Sequence, residues 1–178
     1  MKRFLAVIVT LVILSLCTTC DAAYFVSPVA FENVNSITIY ATAQIDGLST
    51  TVDKVAEIAL SSLYSGLRAR LPRLTVKRMA DAPDPFSHTD GLLSISVLLF
   101  ESRDAQGRTV GFVGSVNSEF LRLGYIYNTQ SAYYPCVVAA DSVVVTGPEH
   151  AVSVSVRDAI GDIVYRFAND FYKARPDL

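Results

Sequence analysis

Residues 36–46 read SITIYATAQID. Ile37, Ile39, Ala41, Ala43 and Ile45 alternate without a break with Ser36, Thr38, Tyr40, Thr42 and Gln44. Period-two alternation of this length predicts a strand with one apolar and one polar face, because a helix would scatter the same residues around its circumference. Such a strand belongs to an antiparallel or mixed sheet that is covered on one side only.

The next stretch supplies a cover. Val52, Val55, Ala56, Ala59, Leu63, Leu67 and Leu71 recur at three- and four-residue spacing, which gives a helix one apolar stripe. Thr50 with Asp53 predicts its N-cap, and Pro72 stops it. Residues 74–79 resume as a strand, followed by the polar loop ADAPDPFSHTDG. Residues 92–101 and 108–123 form two strands joined by RDAQGR, a hairpin whose Gly107 can take a positive φ. In the second, Val110, Phe112, Val116 and Phe120 form the core face; Thr109, Gly111, Val113, Ser115, Asn117 and Glu119 form a small, mostly polar one, read as solvent-exposed. Residues 137–145 are a further strand. The chain closes with a helix whose stripe is Val156, Ala159, Ile160, Ile163, Val164, Phe167, Ala168 and Phe171, with Ser155 and Asp158 as its expected N-cap. The preceding AVSVSV fits either a short strand or a frayed helix, and residues 24–35 read as an extended lead-in. The expected fold is α+β, a two-layer sandwich with a four- to five-stranded, mostly antiparallel sheet and two amphipathic helices on one face.

Ahead of this domain stands an export pattern. Lys2 and Arg3 precede FLAVIVTLVILSLC, residues 4–17, which as a helix measures about 21 Å against the roughly 30 Å of a bilayer core. A positive start, a short apolar run and then small residues make a secretory signal over residues 1–22, leaving a single domain over 23–178. Cleavage after Ala22 places Cys20 and Ala22 at the two small-residue positions. Acylation of Cys20 is the alternative. It has Thr19 before it, where bacterial lipoprotein signals prefer Gly, Ala or Ser, so a soluble chain beginning at Ala23 is favoured. The expected location is the periplasm or the outer membrane, or secretion, with membrane contact only through an anchor at Cys20.

Of 15 Lys and Arg, two precede residue 23, and of 17 Asp and Glu only Asp21 does, so the mature chain is acidic by about three charges. A nucleic-acid binder would show a basic stripe, and no nucleic-acid partner is expected. The cluster Arg68, Arg70, Arg73, Lys77 and Arg78 falls at a helix end, where it complements the helix dipole. Cys136 is the single cysteine after the signal, read as a small buried hydrophobe with no disulfide partner.

Catalytic patterns are missing from the sequence. His88 and His150 have no ligand at metal-binding spacing, so no metal or cofactor is expected. His88 with Asp90 in FSHTDG reads as a solvated loop, and His150 as the start of an element. Ser115 in GFVGSVN lies in a strand, not on a nucleophile elbow. Asp158, Asp162 and Asp170 share a helix side with Arg166 and Lys173, which reads as a solvated charged face. The distinctive stretch is LGYIYNTQSAYYP. Its Tyr125, Tyr127, Tyr133 and Tyr134 suit an interaction surface, because Tyr buries a large area yet keeps a polar tip.

RDAIGDIVYRFANDFYKARP is similar to the closing helix of small exported bacterial proteins whose phrase runs Phe-x-Asn-Asp-Tyr-x-x-x-Asn-Pro. Phe167, Asn169, Asp170 and Pro176 match it, Phe171 stands for the Tyr, and Arg175 replaces the Asn. The element order resembles the periplasmic domains of penicillin-binding-protein activators and the N-terminal domain of TolB. The resemblance implies an envelope-facing, non-enzymatic accessory domain and carries over no functional residue. The expectation is therefore a binding module for an envelope protein complex or cell-wall component, using the sheet edge and the tyrosines. A small secreted hydrolase with unrecognised acids, or a carrier of small apolar ligands, is the alternative.

Overall fold

A computed structural model describes residues 25–27, 30–81, 90–125 and 133–176. The elements are β1 (Phe25–Val26), β2 (Ser36–Asp46), α1 (Val52–Arg70), β3 (Thr75–Arg78), β4 (Asp90–Arg103), β5 (Thr109–Tyr125), β6 (Tyr133–Gly147) and α2 (Val152–Ala174). They build the α+β sandwich that the patterning predicts, with a mixed sheet in the order β1-β6-β5-β4-β2-β3. β4, β5 and β6 form an antiparallel meander. β2 runs parallel to both β3 and β4, with α1 as the crossover from β2 to β3. Among the described residues, the two-residue β1 brings the strand count to six. Residues 1–22, read as a signal, and Cys20 among them lie outside the described residues.

Both helices cover the same face, α1 over β2 and α2 over β6 and β5. Val55, Ala59, Leu63 and Leu67 bury the α1 stripe, and every residue of the predicted α2 stripe is buried. The helices are tied where Tyr172 Oη donates to the Arg70 carbonyl at 2.7 Å and the Arg70 guanidinium lies over the Tyr165 ring. The basic cluster also stacks, with Arg68 and Arg78 both over Tyr64.

Several local expectations need correction. The α1 N-cap is Thr51, not Thr50: its extended backbone lets Oγ1 accept from the Lys54 amide. Val52, expected in the core stripe, is 43% exposed because it opens the helix beyond the sheet. AVSVSV is helical from Val152, so Ser155 lies inside α2 and is not its cap. A helix brings Val152 and Val156 to one buried face and turns Val154 outward; a strand would align all three. Val110 is 56% exposed, since the ladder slips where Ser102 opposes Gly111 but Arg103 opposes Thr109, leaving Val110 unopposed. Ser36 and Thr38 are buried although they lie on the polar face. They sit between β3 and β4, and Ser36 Oγ donates to Asp90 Oδ1. Gly107 takes the expected positive φ, in a turn where Asp104 Oδ1 accepts from the Gln106 and Arg108 amides.

At its centre the core is aromatic. Phe31 lies 5.6 Å from Phe120, 5.1 Å from Phe167 and 5.4 Å from Phe171, ring centre to ring centre. Phe31 comes from the segment read as an extended lead-in. Instead it turns, with Asn33 at φ 57°, and plugs the end of the sandwich. Arg122 Nη1 donates to the carbonyls of Ala30 and Glu32, and Arg175 Nη1 to that of Val34, which fixes the plug. Gly91 lets this packing close, because a Cβ there would stand 2.2 Å from the Phe120 ring.

Candidate interaction surface

With both helices on one side, the other face of the sheet has no described element over it. Strand registers place its residues in rows. Gln44, Leu98, Ser115 and Val144 form one row; Asp46, Phe100, Val113 and Thr146 the next; Thr42, Ser96, Asn117 and Ser142, then Tyr40, Ser94, Glu119 and Ala140, follow in the opposite direction. Four long strands about 4.8 Å apart make a face on the order of 19 Å by 27 Å from Thr38 to Asp46.

Its chemistry is mixed in an ordered way. Asn117 Nδ2 donates to Ser115 Oγ at 3.0 Å, and Ser142 Oγ donates to Asn117 Oδ1 at 2.7 Å. This small polar network therefore satisfies much of its own hydrogen bonding. Around it Tyr40, Phe100, Val113 and Val144 stay 45%, 44%, 45% and 56% exposed. Large apolar side chains left in water on one face mark a surface that gains from being covered. The small polar face expected of residues 109–119 is thus open to solvent at Val113, Ser115, Asn117 and Glu119 and flanked by apolar groups from three other strands, but Gly111, expected on it, is buried against the Gly147 backbone.

The tyrosines sit at the far end of the same hairpin. Tyr125 pairs with Tyr133, and Gly124 with Tyr134, where β5 meets β6. Tyr127 lies outside the described residues, as do the side chains of the other three. Cys136 is exposed, contrary to the expectation of a buried hydrophobe, because it stands near the end of β6 beyond the cover of the helices.

On the helix side, Asp141 is a buried acid that the sequence reading passed over. Its carboxylate takes Arg166 Nε at 2.6 Å and the Ser142 amide at 2.8 Å. Arg166 therefore leaves the solvated helix side and turns inward. The signal was available: Asp141 interrupts the apolar run VVAADSVVV, and a buried acid needs a paired cation. The space beside Asp141, lined by Phe31, Ser118 and Phe167 among others, holds about 20 Å³. That is room for about one water molecule, whereas a small-molecule pocket needs at least about 300 Å³. An apolar-ligand carrier finds no chamber there.

An open cleft of about 600 Å³ lies at the opposite end, between Ser49 and Lys54 on one side and Thr109, Glu149 and His150 on the other. His150 belongs to the short turn that starts α2, as expected. Glu149 accepts from the Ser49 amide, and the Ser49 hydroxyl and amide hold its carboxyl below the ordinary value of 4.5. It is committed to a structural tie. Among the described residues no three His, Cys, Asp or Glu side chains gather as a metal site. His88 lies outside them, while Asp90 is engaged by Ser36. Asp158 and Asp162 are exposed, and Asp170 pairs with Lys173 at 3.0 Å. No described helix is long and apolar enough to cross a membrane.

The sequence matches no protein-family model and no curated protein. Among solved structures, the chain is similar to a PelC dodecamer from Paraburkholderia phytofirmans at 16% identity, covering 80% of this chain and 95% of that one with a TM-score of 0.48. A Xanthomonas campestris protein of the DUF330 family model shares 13% identity over 86% of this chain and 93% of its own, TM-score 0.38. A minor lipoprotein from Acinetobacter baumannii shares 10% over 79% and 94%, TM-score 0.34. These are bacterial chains, and the likeness is one of general outline.

Proposed function

We propose that this chain is an exported envelope protein that works as a non-enzymatic binding module, with the helix-free sheet face as the surface that meets a protein partner. One observation carries the reading: Tyr40, Phe100, Val113 and Val144 from four neighbouring strands stay exposed on one face around a hydrogen-bonded Ser–Asn–Ser centre. Protein interfaces combine exposed apolar anchors with polar groups that are already satisfied, so that covering them costs little desolvation. The export pattern of residues 1–22 supports an envelope setting. Asp141 and Glu149 are each tied to neighbouring elements, Asp141 to Arg166 and Glu149 to the Ser49 amide, and that structural use of both acids is in keeping with a binding module.

The test replaces Tyr40, Phe100, Val113 and Val144 together by Ser. All four point away from the core, so the variant keeps the wild-type far-UV spectrum. Affinity capture from an envelope extract is expected to lose the partners that the wild type retains. Capture of the same partners by the folded variant would remove this face from the assignment and return attention to the tyrosine-bearing hairpin end.

A further inference from the structure

The chain is acidic overall, yet its charge is divided between two ends. α1 runs back along β2 and α2 back along β6, so both helices start at one end of the sandwich and finish at the other. Where they start lie Asp46, Asp53, Glu57, Glu101, Asp104 and Glu149. Lys54, Arg103 and Arg108 offset half of these, and Arg157 offsets Asp158. Where they finish, Arg68, Arg70, Arg73, Lys77 and Arg78 gather on the last turn of α1, the turn after it and β3. Arg122, Lys173 and Arg175 stand at the same end, against Glu32, Asp81, Asp90 and Asp170.

The five clustered cations have no carboxylate partner among the described residues, whereas Arg103, Arg108, Arg166 and Lys173 are all ion-paired. Aromatic rings hold three of the five instead. The guanidinium carbons of Arg68 and Arg78 lie 5.5 and 5.3 Å from the centre of Tyr64, and that of Arg70 lies 4.9 Å from the centre of Tyr165. Arg68 Nη1 also donates to Tyr64 Oη at 3.1 Å. Stacking fixes a guanidinium without neutralising it and leaves most of its N–H edge for bidentate bonds to phosphate. Arg68, Arg70, Arg73 and Lys77 are exposed. Among the described residues, Asp81 is the one acid bordering the two open grooves beside Tyr64. Like charges held this close repel one another, and a layer of anions relieves that repulsion.

We infer that this basic end docks on an anionic phospholipid surface, its guanidinium groups on headgroup phosphates and its strands standing away from the lipid. Two observations favour a surface over a small anion or an acidic peptide. The cations wrap the end of α1 instead of lining one closed cavity. The polarity of the whole molecule, moreover, matters to an extended partner and not to one that reaches the cluster alone. Asp53 lies about 26 Å from Arg70 along α1, some three screening lengths of about 8 Å each. The acidic end therefore does not oppose a contact made by the basic one. The exposed rings of Tyr165 and Tyr172 suit the headgroup layer, where an apolar body and a polar tip both find partners. The open sheet face stands upright beside the lipid in this pose and stays clear, so the inference goes beyond the open-face reading and does not depend on it.

The experiment uses the exported chain with Cys20→Ser, so that no acyl chain contributes. It is floated with vesicles of equal parts phosphatidylglycerol and phosphatidylethanolamine, or of phosphatidylcholine alone. The chain is expected to float with the anionic vesicles and not with the neutral ones, and added salt is expected to release it. Arg68→Gln with Arg73→Gln and Lys77→Gln is expected to weaken partitioning on the order of a hundredfold, about fivefold per cation. Lys54→Gln with Arg108→Gln and Arg157→Gln removes the same charge at the acidic end and is expected to change it less than about twofold. All six side chains are exposed, and an unchanged far-UV spectrum verifies folding. No flotation, or equal flotation with phosphatidylcholine, overturns the inference. Equal losses in the two triple variants also overturn it, by making net charge the cause. Loss of flotation in the Tyr40, Phe100, Val113 and Val144 serine variant, whose basic end is intact, would overturn it by moving the contact to the open face.

Discussion

Phe31 shows how much one residue outside the regular elements can carry. It is 1% exposed and touches Phe120, Phe167 and Phe171, so it joins the sheet to α2 from a turn that belongs to neither. Removing a buried Phe costs transfer energy plus the cavity left behind, about 3–5 kcal/mol, the upper part of that range applying where the surroundings cannot collapse. Here they cannot readily do so. Arg122 and Arg175 hold the backbone on both sides of Phe31, and three rings face the vacated space. Phe31→Ala is therefore expected to lower the unfolding free energy by about 3–5 kcal/mol, read from the urea midpoint at unchanged slope. A loss under about 1 kcal/mol would mean that the turn is not part of the cooperative core.

Among the elements, the tie between the β2–α1 connection and the turn before α2 depends on charge. Glu149 accepts from Ser49, and its carboxyl is held below the ordinary value of 4.5 by those hydrogen bonds. A carboxyl with a depressed folded value contributes stability that is fully present above its unfolded value. That contribution is lost as pH falls through the folded value. The wild type is thus expected to lose more stability between pH 6 and pH 3 than Glu149→Gln, which cannot ionise, and the two urea midpoints should converge in acid. Equal slopes with pH for both proteins would show that the tie contributes nothing. Asp104, also lowered, by Arg108, is unchanged in both proteins and cancels in the comparison. Elements such as these were legible in the sequence to differing degrees. Both helical stripes and the strand alternation were readable because burial on one face imposes a period. Helix starts were not, since Thr50 and Thr51 carry the same hydroxyl and only backbone geometry selects between them. Val110 and Thr38 escaped for a related reason: alternation tells inside from outside along one strand but says nothing of ladder slips or neighbouring strands. The open face was half legible. Residues 109–119 announced its polar centre, while Phe100 and Val144 joined it only through registers that no single stretch contains.

For the molecule as a whole, the start of the mature chain decides what the open face can reach. The described chain begins at Phe25, whose backbone pairs with Ala140 on the β6 edge. Cleavage after Ala22 would leave only two residues ahead of that strand and a domain free to diffuse. An acyl chain on Cys20 would instead hold the β1 edge within five residues of the membrane, about 17 Å at full extension. The sheet would then stand over the lipid surface, and partners would be found there. Small residues at positions 20 and 22 favour cleavage, and Thr19 disfavours acylation. The expected intact mass of protein recovered from the soluble envelope fraction is that of a chain beginning at Ala23. A membrane-fraction mass beginning at Cys20 with added acyl chains would reverse that expectation. It would leave the sheet and its open face as they are, but would confine their encounters to a surface, where a tethered protein and its partner meet at a much higher effective concentration than in solution.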